Sequence, residues 1–134
     1  MLTMSVAQRD AMLATCIRAL PNEGCGLLVG TLEGLVHEVI ASPNIADSAR
    51  VYEIDPKVVL AAARRADADG LEVIGVFHSH THSAAYPSPT DIAQAPDPSW
   101  HYVLVSLVPS PAEVLSYRIL GGDVAAEVLD ITSD

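Results

Sequence analysis

Residues 71–77 form a short apolar run, rich in β-branched side chains, that ends directly at a histidine pair. An apolar run of this length is typical of a buried strand. Side chains alternate across a strand, so His78 and His80 can project to one side while Ser79 points to the other. The sequence thus predicts a buried strand that delivers two imidazoles to one place at its end.

The remaining elements are predicted from helix signals and apolar runs. The clearest helix begins after Asp55, which suits the N-cap position, with Pro56 in its first turn, an alanine-rich interior and Gly70 just past its end. Two further helices are predicted at 5–20 and 89–95, each stopped by a proline. The expected strands are 23–30, 35–41, 51–54, 71–77, 101–108, 113–120 and 124–129.

This order of elements has an early hairpin and a late meander. Helices and strands mixed in this way predict an α/β fold, with a mixed β-sheet flanked by helices in three layers. We expect one domain over residues 1–134, because a chain of 134 residues can bury a sizeable core without added cross-links.

Charge and composition argue against several kinds of partner. The formal net charge is −10, whereas nucleic-acid phosphates require clusters of Lys and Arg. No apolar run approaches the roughly 20 residues that cross a bilayer, and residues 1–10 lack a secretory pattern. We therefore expect no nucleic-acid partner, no membrane partner and a cytoplasmic location. Cysteine is sparse, so Cys16 and Cys25 are expected as free thiols.

The two histidines and a nearby carboxylate could form a metal site. A catalytic zinc takes three ligands from the protein and keeps a fourth position for water, and Asp91 could complete the set of His78 and His80. A plainer interpretation is that the histidines are hydrogen-bonded at a strand end. Likewise, Ser88 and Asp91 could simply begin a helix, as its cap and first-turn acid. A helix start is also a rigid place from which to aim Asp91 at a metal, so both interpretations can hold.

The combination of these residues resembles the motif of a known enzyme family. His78, His80, Ser88 and Asp91 match the JAMM motif without a departure in spacing, and Glu23 lies in Pro-Asn-Glu-Gly-Cys-Gly-Leu-Leu-Val-Gly, which is similar to the family's glutamate segment. The resemblance covers nearly the whole chain. By this resemblance the chain is identified as a JAMM (MPN-plus) zinc metalloprotease, with the JAB/MPN, cytidine-deaminase-like fold.

The resemblance implies a role for each motif residue. His78, His80 and Asp91 would hold Zn²⁺, which leaves a fourth position for water. Glu23 would take a proton from the water and pass it to the leaving amine. Ser88 would donate a hydrogen bond to the oxyanion.

Segments 101–106 and 115–119 look most like the small bacterial branch of the family. That branch acts on ubiquitin-like sulfur-carrier proteins, so the carrier's C-terminal tail is the implied partner. The implied reaction cleaves the amide after the carrier's C-terminal glycine. It would release cysteine from a carrier–cysteine adduct, as in cysteine biosynthesis, or trim trailing residues to expose Gly-Gly.

Two other functions stay open at this point. Whether the chain forms a homodimer stays open as well. One is a deubiquitinase-like isopeptidase, although the short connections leave little room for insertions that recognise two ubiquitins. The other is a noncatalytic MPN scaffold, against which the intact motif argues.

Four residues near the motif are ambiguous. On an ideal strand His82 would extend the series to a three-histidine site, but it follows the strand end, where a substrate contact or solvation is the alternative. Cys25 could be a thiol that coordinates the metal or acts as a redox switch near it, or a small packing residue. Trp100 and Tyr86 could grip the carrier's tail or pack in the core or in a lid.

Overall fold

The computed structural model describes residues 1–133, in which eight strands and three helices follow one another. In chain order they are β1 (Leu2–Ser5), α1 (Val6–Ala19), β2 (Cys25–Gly30), β3 (Val36–Ser42), α2 (Pro56–Ala68), β4 (Glu72–His80), α3 (Pro89–Ala93), β5 (His101–Ser106), β6 (Glu113–Leu120), β7 (Asp123–Glu127) and β8 (Leu129–Thr132).

Six of the strands form one mixed sheet in the order β3-β2-β4-β5-β6-β7. Strands β4 and β5 run parallel, and every other neighbouring pair in this sheet is antiparallel. β4 therefore has a paired strand on each side. A second, two-stranded sheet pairs β1 with β8 in parallel.

Helices cover both faces of the large sheet, which gives three layers. On one face the buried Phe77 packs in a core that includes Met12 and Cys16 of α1. On the other face Val76 packs in a core flanked by Ile92 of α3. The prediction of an α/β fold with a mixed sheet flanked by helices is confirmed.

The centre of the large sheet is tightly packed at a glycine of β2. A Cβ atom added to Gly26 would lie 2.3 Å from the carbonyl oxygen of Ile40 and 2.4 Å from the ring of Phe77. No side chain fits there, so glycine is required for close approach of β2 to its neighbours.

The strand predicted at 51–54 is wrong, because these residues form no extended ladder. Only an isolated bridge joins Ile54 to Asn44. The Asn44 side chain takes the place of a neighbouring strand: its Nδ2 donates to the carbonyl of Val51 and its Oδ1 accepts from the amide of Glu53, both at 3.0 Å. The segment is thereby fixed as an ordered loop.

Strands β1 and β8 were not predicted as a pair. Each has four residues, and Leu2 is paired with Leu129 near the other end of the chain. A local pattern cannot show such a partner. Among residues 1–133, none of the helices combines the length and apolar character needed to cross a bilayer.

Candidate metal centre

The end of β4 carries both histidines into the interior. His78 is paired with Cys25 of β2 and with Leu104 of β5, so strands hold it from both sides. His78 and His80 are 2% and 4% exposed, and both lie on the sheet face opposite α1. The alternation expected from the sequence therefore holds to the last residue of the strand.

The structure brings Asp91 of α3 to the same place. The Asp91 Oδ2 atom lies 3.1 Å from the Nε2 atom of His78 and 3.0 Å from that of His80. One ligand atom from each residue lies within 4.8 Å of the others. The three residues predicted as metal ligands thus form one buried group that is positioned to bind a metal ion.

The hydrogen bonding of His80 fits a metal ion. Its Nδ1 atom lies 2.8 Å from the carbonyl oxygen of Ala84, which can only accept, so Nδ1 carries a proton. Burial lowers the pKa of His80, but hydrogen bonds with Asp91 and with the Ala84 carbonyl outweigh it and raise that pKa above its ordinary value. Without a metal the Nε2 atom can therefore donate a proton to Asp91, and a metal ion would take the place of that proton. Zinc bonds of about 2.0–2.1 Å place tetrahedral donors about 3.4 Å apart, and the two separations between Asp91 and the histidines, 3.1 and 3.0 Å, are near that value.

The ring of His78 is held by an aromatic side chain that the sequence did not single out. The Tyr52 ring stacks on it with centroids 4.1 Å apart and planes 18° apart. Burial lowers the pKa of His78 below its ordinary value, although the hydrogen bond to Asp91 opposes this. The ring is therefore neutral near pH 7, the form that binds metals.

Asp91 is fixed by the start of α3. The Ser88 Oγ atom accepts from the Asp91 amide at 3.0 Å, and the Ser88 amide donates to Asp91 Oδ2 at 2.9 Å, which is a capping box. Burial raises the pKa of Asp91, but hydrogen bonds from His78 and His80 outweigh it and hold that pKa well below its usual range. The predicted helix start and the metal group therefore share one carboxylate.

Glu23 lies just before β2, and its backbone is anchored on two sides. The Glu23 amide donates to the carbonyl of Ser48 at 2.9 Å, and Asn44 Nδ2 donates to the Glu23 carbonyl at 3.0 Å. The side chain is 3% exposed, and its buried Oε1 atom has no hydrogen-bond partner among the described residues. Burial raises the pKa of Glu23 to about 7, so this carboxyl can accept and return a proton near neutrality.

A cavity of about 470 Å³, lined mostly by residues with polar side chains, opens beside the metal group. Glu23, His80 and Ser88 line one part of it, so the structure places the predicted proton carrier, a metal ligand and the predicted oxyanion donor around one space. The remaining lining residues are Ala49, Arg50, Thr81, His82 and Ser83.

The three-histidine site that an ideal strand would suggest does not form in the described chain. His82 is exposed in the loop after β4 and lies 2.7 Å from the hydroxyl of Thr81, outside the metal group. The Cys25 Sγ atom lies 3.7 Å from the carbonyl oxygen of Pro43, and burial raises the pKa of this thiol to about 12. These surroundings favour a packing role for Cys25 over a reactive thiolate.

The two aromatic residues that were ambiguous lie in different places. Trp100 and Tyr52 line a second cavity of about 300 Å³, mainly apolar, that borders Asp91. Tyr86 is 54% exposed and meets the ring of Tyr117 edge-on, with centroids 5.5 Å apart. Trp100 therefore packs against the core cluster of Val76 and lines a cavity that Asp91 also lines, whereas Tyr86 lies on the surface.

Fold and site together define a metal-binding α/β protein, and comparison with known proteins gives its family. The family model for prokaryotic homologs of the JAB domain matches residues 5–120. The chain belongs to this family, so the family prediction made from the motif is confirmed.

Similar proteins include two named peptidases and one solved structure. The CysO-cysteine peptidase of Mycobacterium tuberculosis (strain ATCC 25618 / H37Rv) is 40% identical over 126 residues, which cover 91% of this chain and 85% of the relative. The probable TtuB-protein conjugate cleaving protease of Thermus thermophilus is 39% identical over 83 residues, 61% of this chain and 55% of that protein. A solution structure from Desulfitobacterium hafniense matches with a TM-score of 0.91 and 34% identity, and covers 100% of this chain and 94% of its own.

Proposed function

We propose that this chain is a zinc-dependent peptidase that cleaves the amide bond after the C-terminal glycine of a ubiquitin-like sulfur-carrier protein. The observation that carries the proposal is the buried His78, His80 and Asp91 group beside a cavity that also holds the unpaired carboxyl of Glu23. The names of the mycobacterial and Thermus relatives support a carrier or carrier conjugate as substrate.

His78, His80 and Asp91 are the proposed zinc ligands. Bound zinc would lower the pKa of a coordinated water and polarise the scissile carbonyl. The Ala84 carbonyl fixes the tautomer of His80, and the stacked Tyr52 fixes the ring of His78. These contacts hold both Nε2 atoms toward one point, which reduces the reorganisation that metal binding requires.

Glu23 is the proposed proton carrier. Its raised pKa suits a group that accepts a proton from the attacking water and passes it to the leaving amine. Ser88 is the proposed oxyanion donor. Its Oγ atom already accepts from the Asp91 amide, so its hydroxyl proton is free to be donated into the cavity.

The favoured substrate is a carrier–cysteine adduct, from which hydrolysis would release cysteine for cysteine biosynthesis. Trimming of trailing residues to expose Gly-Gly is the related alternative. Cleavage of protein conjugates is a second candidate, which the name of the Thermus relative favours. The proposal includes one domain over residues 1–134 and a cytoplasmic location, and a homodimer stays a prediction.

Intact mass measurement after incubation with three substrates tests the proposal. The zinc-loaded protein is mixed with CysO–cysteine, with a carrier that has trailing residues, and with a lysine-linked conjugate. Release of cysteine from the first substrate, and none by the Glu23→Gln protein, is the expected result. A protein that binds zinc stoichiometrically and cleaves none of the three is a scaffold, and the proposal is then wrong.

A further inference from the structure

The 470 Å³ cavity beside the metal group has one permanently charged cation among its described lining residues. Arg50 lines this cavity together with Glu23, His80 and Ser88. The whole chain has 7 basic residues and a formal net charge of −10, so a cation at this position opposes the overall charge of the protein.

The guanidinium of Arg50 has no hydrogen bond or ion pair within the described part of the chain, and its side chain is exposed. Three other arginines are paired with carboxylates. They are Arg9 with Asp10, Arg65 with Glu38 and Arg118 with Glu127. The charge of Arg50 is therefore available to a ligand in the cavity.

The backbone that carries Arg50 is fixed in place. The Arg50 amide donates to the Ser48 hydroxyl at 3.0 Å, and Thr81 Oγ1 donates to the carbonyl of Ala49 at 3.3 Å. The second of these contacts ties the loop to the residue directly after β4. These two hydrogen bonds fix the backbone from which the Arg50 side chain extends.

We propose that Arg50 binds the α-carboxylate of the amino acid released by hydrolysis, and that it thereby favours a leaving group of a single residue. The inference rests on the proposed function. Glu23 passes its proton to the leaving amine at the metal group, so the leaving side of the bond must lie in the cavity where Glu23 meets the metal ligand His80 and Ser88. In a free amino acid the carboxylate is separated from that amine by one carbon atom, which brings it into the same cavity as Arg50.

The chemistry of the guanidinium supports this preference. Its planar fork can bind a carboxylate with two parallel hydrogen bonds. A longer leaving peptide has a neutral amide at the same place, and a lysine side chain has only methylene groups there. Arg50 therefore distinguishes release of one amino acid from trimming and from isopeptide cleavage.

The test compares a carrier–cysteine adduct with the same adduct whose cysteine ends in a carboxamide. We expect the zinc-loaded wild type to have at least a tenfold higher kcat/KM for the free carboxylate. Arg50→Gln should lower kcat/KM for the carboxylate adduct at least tenfold, mainly by raising KM. Its kcat/KM for the carboxamide adduct should stay within about twofold of the wild-type value. Arg50→Lys should keep part of the preference, because it keeps the charge without the fork.

Arg64→Gln is the matched control, since it removes the same charge from an exposed position on α2 outside the cavity. It should leave both kcat/KM values unchanged. The assignment of Arg50 would be overturned if the wild type cleaved both adducts with equal kcat/KM, or if Arg50→Gln lost kcat/KM equally on both. Either result would leave the peptidase function standing. A zinc-loaded wild type that cleaves neither adduct overturns the assignment of Arg50, and it overturns the proposed function as well if it also leaves the extended carrier and the lysine-linked conjugate uncleaved.

Discussion

The Ser79 hydroxyl accepts a hydrogen bond from the Gly24 amide at 2.8 Å, and the Ser79 amide donates to the Gly24 carbonyl at 3.0 Å. Ser79 lies between the two histidines of the metal group but points to the other face of the sheet, where it is fully buried. Gly24 directly follows Glu23. This pair therefore couples the position of the proposed proton carrier to the strand that carries two metal ligands.

Ser79→Ala should leave zinc bound but reduce turnover. The variant removes the acceptor of a buried amide, so we expect a loss of about 1–3 kcal/mol in the free energy of unfolding. The histidines remain on β4, whereas Gly24, directly after Glu23, loses one of its two hydrogen bonds to Ser79. Ser116→Ala, another buried serine of the sheet, is the control. Urea unfolding should show a loss of stability in both variants, and metal analysis should show zinc bound in both. The kcat value should fall in Ser79→Ala alone.

Glu23→Gln should keep zinc and lose hydrolysis, because an amide cannot carry the proton. In the wild type the ionised form of Glu23 disappears as the pH falls below its pKa of about 7, so kcat/KM should fall on the acid side. A bound metal cation would lower the pKa of Glu23 from this raised value, so the acid limb of the pH profile should lie no higher than about pH 7. A pH profile of both proteins checks this, and turnover in the variant would remove Glu23 from the proposed role.

The same variant should stabilise the metal-free protein at alkaline pH. Burial raises the pKa of Glu23 from 4.5 to about 7, so the ionised carboxyl weakens the folded state increasingly as the pH rises from about 4.5 to 7. The free energy of unfolding of metal-free Glu23→Gln should therefore exceed that of the wild type by about 1–3 kcal/mol at pH 8 and equal it near pH 4. Chemical unfolding at the two pH values measures the difference, and an equal gain at both would contradict the explanation.

Ser88→Ala should cost activity beyond its effect on the helix. Loss of an N-cap side chain costs about 1 kcal/mol of stability, and loss of an oxyanion donor costs on the order of 10²–10³ in kcat. Ser5 forms an equivalent capping box at the start of α1 and provides the control. Thermal unfolding should show similar losses for Ser88→Ala and Ser5→Ala. If kcat is equal in the two, Ser88 has only the capping role.

His80→Ala and Asp91→Ala should each abolish stoichiometric zinc binding. Each removes one donor of the buried group, and a remaining pair of ligands holds zinc weakly. His82→Ala removes an exposed imidazole from the adjoining loop and should bind zinc as the wild type does. Metal analysis after dialysis measures the zinc content of the three variants. Loss of zinc in His82→Ala would restore the three-histidine alternative.

The parts of the site that the sequence predicts are those set by local periodicity. Strand alternation placed His78 and His80 on one side, and the signals of a helix start placed Ser88 and Asp91 in a capping box. Both arrangements depend on residues close together in the chain. Each of these two parts could therefore be predicted locally, whereas their combination with Glu23 in one motif came from the resemblance to the JAMM family.

Contacts between distant segments could not be predicted in this way. Tyr52 stacks on His78 across 26 positions of sequence, and no spacing rule relates a loop residue to the end of a later strand. Residues 51–54 have a strand-like composition, but Asn44 provides the hydrogen bonds that a neighbouring strand would otherwise supply, so the segment is a loop. The stacking and the loop that carries Arg50 both result from tertiary packing.

The metal group joins two segments whose amides should exchange with solvent at very different rates. β4 is paired on both sides, so its amides should exchange only when the whole sheet opens. α3 has 5 residues, too few to be a stable helix alone, and should open locally. Fraying of α3 would withdraw Asp91 while His78 and His80 stay in place. We therefore expect the rate of metal escape to follow the opening of this short helix, with reloading that needs no refolding of the sheet.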